Sequence, residues 1–298
     1  MKRTLACLAG LLLGNLIVVP CISEPAGQGI QPSTVGRVDT PQEPVSELAR
    51  HEWALGCAAV LTERNHDSHT LLGGRQPSED SRVAKKRLLS EWWGIDNRED
   101  FFETLRWMDE GGHRAIFEKV GALVTLMTER QYRALLTDES NPEALNKLRV
   151  ARRYYKELGP KSLYGWDYSR AICLCRWAYF VGYINEKEAW ERIMPMATLL
   201  QEKFDSWEDL GRNYLIGRQF WSPEQMEKDG WCYEDAVQRL LDMKSSPWNR
   251  YLWELKLKNG EDKGPRRQPQ HKEEPKNRKE KSDQIAALDR SPAGAYGL

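Results

Sequence analysis

Residues 165–190 read GWDYSRAICLCRWAYFVGYINEKEAW. Steps of three and four from Trp166 pick out Trp166, Arg170, Cys173, Trp177, Phe180 and Ile184, one face of a helix. The adjacent face carries Asp167, Ala171, Leu174, Ala178 and Val181, and a third side carries Tyr168, Ile172, Cys175 and Tyr179. A helix that is apolar on every side belongs at the centre of a bundle. Its charged members must then be satisfied inside that bundle, because an uncompensated buried charge costs several kcal/mol. Asp167 stands three residues before Arg170, within reach on the same side, and in the first turn, where a negative charge suits the helix dipole. The spacing therefore predicts an internal Asp167–Arg170 pair. A cleft-facing pair gripping an anionic ligand is the competing expectation. Arg176 lies on a different side, so it forms no obvious clamp with Arg170.

Outward from this segment, nearly everything between residues 45 and 258 reads as helix. One helix is expected over Val45–Arg64 and a second over Ser78–Trp92. Asn97 caps a third that stops at Gly111-Gly112. His113–Leu136 forms a fourth, broken near Thr128. Asn141-Pro142 opens a fifth through Lys156, with a good cap and a proline at the first helical position. Asn185 with Glu188, and Ser206 with Asp209, mark two further starts of the capping-box type. Ser246-Pro247 opens a last helix through Leu257. No alternating run is long enough for a strand, and there is no internal repeat. The fold class is all-α: a single multi-helix domain around a central buried hydrophobic helix.

The ends of the chain read differently. Lys2-Arg3 followed by the apolar run Leu5–Val19 has the form of a secretory signal peptide over residues 1–23, with Cys21-Ile22-Ser23 supplying small residues before Glu24. The run is shorter than a spanning helix needs, so cleavage is favoured over an inner-membrane anchor made of residues 5–19. Lipid attachment at Cys21 is the third option, with Pro20 where that processing wants a small residue. Residues 24–44, rich in Pro, Gly, Gln, Ser and Thr, read as a flexible leader. Residues 259–298, dense in Lys, Arg, Glu, Gln and Pro, read as a disordered tail that cannot bury enough surface to offset its ordering entropy. The expected location is exported, periplasmic or secreted, with membrane contact only through the N-terminal segment if it is uncleaved. In an oxidising compartment Cys57, Cys173, Cys175 and Cys232 allow three disulfide pairings, and four buried thiols are the alternative. Cys173 and Cys175, two apart on a helix, point to different sides and should not pair with each other.

An ordered set of motifs runs along the domain: Trp93-Gly94-Ile95 with Arg98; Gly112-His113-Arg114; Trp166-Asp167-Tyr168-Ser169-Arg170; Arg176-Trp177 with Gly182-Tyr183-Ile184 and Glu188-Ala189-Trp190; and Ser206-Trp207 with Gly217-Arg218 and Phe220-Trp221. In these motifs, over residues 88–221, the chain resembles the bacterial domain-of-unknown-function family 1266. The resemblance implies an all-helical domain of bacterial origin and implies no activity.

No complete catalytic constellation is present. Equal numbers of basic and acidic residues leave no net field to draw nucleic acid. Gly111-Gly112-His113-Arg114 could hold an anion at a helix start, although a solvated helix start is the plainer expectation. His66, Asp67 and His69 lack further ligands at helical spacing, so no metal and no cofactor is expected. Glu139-Ser140-Asn141-Pro142 resembles the opening of the lytic transglycosylase motif, but the Gly-rich segment expected downstream is absent. The tryptophans, among them Trp53, Trp107, Trp177 and Trp190, fall mostly on apolar faces and read as core anchors more than as sugar platforms. The candidate polar cluster, binding or structural, is His113, Arg114, Asp167, Arg170 and Arg176. The favoured expectation is a non-catalytic binding or interaction module of the cell envelope, with an envelope or secreted protein as partner. The alternative is an enzyme acting on an anionic or glycan substrate through a His/Arg/Asp pocket.

Overall fold

The structure, a computed structural model, describes residues 45–258. The expected signal peptide (1–23), leader (24–44) and tail (259–298) lie outside the described residues, as do Cys7 and Cys21. The described residues form twelve α-helices and one 3₁₀ turn, with no strand among them. No helix among them is long and apolar enough to cross a membrane.

The centre is α8, Tyr164–Val181, in which every residue except Tyr164 and Tyr179 is buried. It is packed by α2 (Ala59–Arg64), α3 (Glu79–Trp93), α4 (Arg98–Glu110), α5 (Gly112–Leu126), α9 (Glu186–Lys203) and α10 (Trp207–Trp221). Six neighbours around one rod explain the apolar character on all of its sides. Gly182, in the left-handed region at φ +85°, ends it, and the Tyr183 N–H returns to the Ala178 carbonyl at 2.9 Å. The closest approach is at Gly217 of α10, where a Cβ would stand 2.1 Å from the Cβ of Trp166. Only glycine allows that crossing.

The caps behave as their chemistry dictates. Side chains of Asn97, Thr128, Asn141, Asn185, Ser206 and Ser246 each accept a backbone N–H in the first turn that follows. The break expected near Thr128 falls there, between α5 and α6 (Glu129–Asp138), and α7 runs Pro142–Leu158.

Three expectations are corrected. The single helix over Val45–Arg64 is two, α1 (Glu47–Gly56) and α2. The Gly56 and Cys57 carbonyls accept instead from Trp248 Nε1 at 2.9 Å and Ser169 Oγ at 2.7 Å, and the chain tightens there into i→i−3 bonds. The helix expected over Ser246–Leu257 is only α12, Pro247–Arg250. Beyond it the Tyr251 and Leu252 carbonyls accept from the indole nitrogens of Trp207 and Trp53 at 2.9 and 3.0 Å. Gln201 Nε2 bonds the Trp253 and Leu255 carbonyls at 2.6 and 2.9 Å. Side-chain donors thus satisfy carbonyls that helix would otherwise claim. Finally, α11 (Pro223–Asp242) fills a stretch for which no helix was expected.

The tryptophan-rich composition finds its explanation in this region. Trp53, Trp207, Trp248 and Trp253 form one buried aromatic cluster with ring centroids 4.6–6.0 Å apart, joining α1, α10, α12 and the following segment. Each indole N–H finds a carbonyl, so the large apolar area is buried without an orphaned donor.

Candidate functional site

The polar groups on α8 define two buried charge centres. In the first, Asp167 is fully buried at the start of α8. Arg170, one turn later, reaches its Oδ1 at 2.9 Å, which is the internal pair expected from spacing. The start of α5 completes the cage. Its His113 and Arg114 N–H groups donate to the two carboxylate oxygens at 3.3 and 3.1 Å, and Arg114 Nη1 donates to Oδ2 at 3.2 Å. Gly112 makes this possible. Its φ is +52°, and a Cβ there would sit 2.5 Å from Oδ2.

The Gly111-Gly112-His113-Arg114 helix start therefore does hold an anion, and the anion is the protein's own Asp167. The expectation of a solvated helix start is corrected, since Gly112, His113 and Arg114 are buried. Burial alone would raise the Asp167 carboxyl. The facing His113 and Arg170 and the Arg114 N–H outweigh that and hold it below the ordinary carboxylate value. His113 Nδ1 lies 2.7 Å from Arg170 Nη2 and 3.4 Å from Asp167 Oδ1. The imidazole thus stands between the guanidinium and the carboxylate that it pairs with. Aromatic rings seal the cluster. Arg170 stacks on Trp166 at 4.0 Å, Arg114 stacks on Tyr164 at 4.5 Å, and Trp107 meets His113 edge-on. His113, Arg114, Asp167 and Arg170 converge as an active site would, but they are 3%, 7%, 0% and 5% exposed. The alternative of an open His/Arg/Asp pocket is corrected on this point: these side chains line no open recess.

Arg176, the fifth candidate, does not join them. It is fully buried farther along α8 and bonds backbone carbonyls of the 66–78 loop, Leu72 from Nε and Leu71 from Nη2, both at 3.1 Å. Its Nη1 reaches Thr62 Oγ1. Beside it lies the second centre, which sequence reasoning missed. Asp67 is buried and accepts from Lys85 Nζ and Trp177 Nε1, both at 3.1 Å, and from Arg75 Nε at 2.9 Å. Burial would raise this carboxyl too, and Lys85 and Arg75 hold it below its usual value. Burial likewise lowers Lys85, more than Asp67 restores it. The signal available was only an acidic residue two before His69. His69 itself turns away, to Glu63 Oε1 at 2.6 Å. Among the described residues no three His, Cys, Asp or Glu side chains gather as metal ligands.

The remaining chemistry-bearing residues are placed as structure. Cys57, Cys173, Cys175 and Cys232 are free thiols. Burial pushes Cys173 up to about 11 and raises Cys57 and Cys175 as well, so none of these three is a thiolate at neutral pH. Glu139, exposed at the end of α6, accepts the Asn141 N–H at 2.8 Å and serves the α6–α7 turn.

An open recess of about 430 Å³ lies elsewhere, between α1, the 66–78 loop and the facing ends of α8 and α9. Its wall includes the His51 and Trp190 rings, stacked 3.7 Å apart, with Tyr179 and Phe180. Leu48 and Leu71 are exposed at its rim.

Residues 88–253 match the family model described as Protein of unknown function (DUF1266), more than half of the chain. The chain therefore belongs to that family. The uncharacterized protein YbeU of Escherichia coli K12 is 25% identical over 158 residues, 52% of this chain and 67% of that protein. YbeR of the same organism is 27% identical over 138 residues, 46% of this chain and 58% of YbeR. No solved structure matches significantly.

Proposed function

We propose that this member of the DUF1266 family is an exported, non-catalytic binding protein of the bacterial envelope whose partner is another envelope or secreted protein. One observation carries the reading: the charged groups best suited to chemistry are consumed by one another beneath a sealed aromatic shell. The basic start and apolar run over residues 2–19 support export. The recess beside α1 supports binding, since a concave, aromatic-walled surface with exposed leucines at its rim suits a segment of a partner chain.

N-terminal sequencing of the fractionated protein tests export; intact Met1 in a soluble cytoplasmic fraction would contradict it. For binding, a photo-crosslinking residue at Leu71 of the exported chain should capture one discrete envelope partner, and Trp190→Ala should abolish that adduct without changing the melting temperature. Turnover of an anionic or glycan substrate that disappears in Arg170→Lys, with melting unchanged, would favour the enzyme instead.

A further inference from the structure

We propose that a second recess, between α4 and α9, binds a phosphate monoester through Arg106 and Arg192. This site is independent of the protein-partner reading, because its ligand is a small anion and it lies on residues the first recess does not use. The recess has a volume of about 500 Å³ and opens to solvent. One side of α4 lines it with Arg98, Phe102, Leu105, Arg106 and Asp109, and Arg192 of α9 forms the facing wall. Three guanidiniums thus converge on one space. Two of them, Arg98 and Arg192, share a single ring, with their Cζ atoms 4.7 and 4.4 Å from the Phe102 centroid.

Arg98 is the one held in a direct ion pair, and Glu188, its partner, also attracts Arg192 one turn along α9. Its Nη1 donates to Glu188 Oε2 at 3.0 Å and to the Tyr183 carbonyl at 2.9 Å, and its Nη2 reaches the other Glu188 oxygen. Arg106 and Arg192 have no carboxylate within ion-pair distance among the described residues. Asp109 lies at the far end, where its carbonyl accepts from Arg114 at 2.8 Å. Three guanidiniums thus line a recess whose nearby carboxylates are Glu188 and Asp109, and the N–H donors of Arg106 and Arg192 are not taken up by an ion pair. Their mutual repulsion is relieved when an anion lies between them. The planar fork of arginine matches the oxygens of phosphate, and two such groups match its two charges. Buried Leu105 and half-buried Phe102 supply an apolar floor for the organic part of an ester.

The phosphate could come from a free ester or from a lipid headgroup, and titration calorimetry on the full chain at low salt separates the two. Phenyl phosphate is titrated in one arm, inorganic phosphate in a second, and phosphatidylcholine vesicles containing phosphatidic acid in a third. Arg106→Gln and Arg192→Gln should each weaken binding by about tenfold, the loss expected for one charge-assisted contact. Both residues are exposed, so melting should match wild type. Arg153→Gln, an exposed arginine on α7, should leave binding unchanged. Phenyl phosphate bound more tightly than inorganic phosphate supports a free ester. Vesicle binding alone, abolished by the double variant, supports a lipid phosphate monoester. Absence of binding in all three arms, or binding that survives the double variant, overturns the site.

Discussion

The two ends of α8 are anchored by the same device built from different parts. At its start, Asp167 is held by elements of regular structure: Arg170 of the same helix, and Arg114 with two backbone N–H groups at the start of α5. Toward its end, Asp67 sits on a loop and is held by Lys85 of α3, the Trp177 indole and Arg75, whose side chain is 40% exposed. Both carboxyls are kept ionised against burial. The centres differ in what happens when the anion is lost. Arginine cannot shed its proton inside a protein, whereas a buried lysine can. The two guanidiniums of the Asp167 centre therefore keep their charge, whereas the Asp67 centre has a way to relax.

The largest effect should come from Asp167→Asn. It leaves two buried guanidiniums without their counter-charge, which costs about 3–5 kcal/mol and lowers melting by on the order of 10 °C for a domain of this size. Raising the pH should not recover that loss. Gly112→Ala comes next, at about 1–3 kcal/mol, because a side chain at positive φ is strained and its Cβ would displace the carboxylate. Asp67→Asn should cost about 1–3 kcal/mol at neutral pH, less than Asp167→Asn, since Arg75 can turn to water.

The Asp67→Asn loss should also shrink with rising pH, and the sign follows from Lys85. Its pKa is depressed in the fold even though Asp67 raises it, so removing that carboxylate depresses it further and widens the window in which the unfolded chain holds more protons. Stability then rises with pH across that window. Urea unfolding of the two Asp→Asn variants at neutral and alkaline pH separates the centres; equal pH dependence would erase the distinction. In acid they should converge. Both carboxyls titrate below their ordinary value, so each contributes its stability above that value and loses it as pH falls through the folded one. The smallest effect is expected from Glu188→Gln, which opens the exposed α4–α9 clip to Arg98 and should move melting only slightly, as surface ion pairs do.

The Asp167–Arg170 contact was legible because both partners lie one turn apart on a helix that has no polar face. The other half of that centre was not, because Arg114 is brought in from 53 residues away and only packing decides which helix start faces Asp167. Asp67 was opaque for the same reason. A loop residue between two histidines gives no hint that Lys85 and Trp177 will close over it. The helix starts were readable where a short polar side chain precedes an apolar repeat. Lengths were misread for the helices expected from Val45 and from Ser246, because distant donors, Trp248, Ser169, Trp207 and Gln201, claim the carbonyls. α11 did carry a usable signal, Tyr233, Ala236, Val237, Leu240 and Leu241 at helical spacing, preceded by a polar run ending in Gly230 that obscures it.

The most direct test of the buried charges as fasteners is a double-mutant cycle in urea on Asp167→Asn and Arg170→Met. Each single variant strands an ionised or polar partner inside the core, so the double variant should be more stable than the sum of the two losses allows, with a coupling of about 1–3 kcal/mol. Strictly additive losses, or single variants that melt like wild type, would contradict the account.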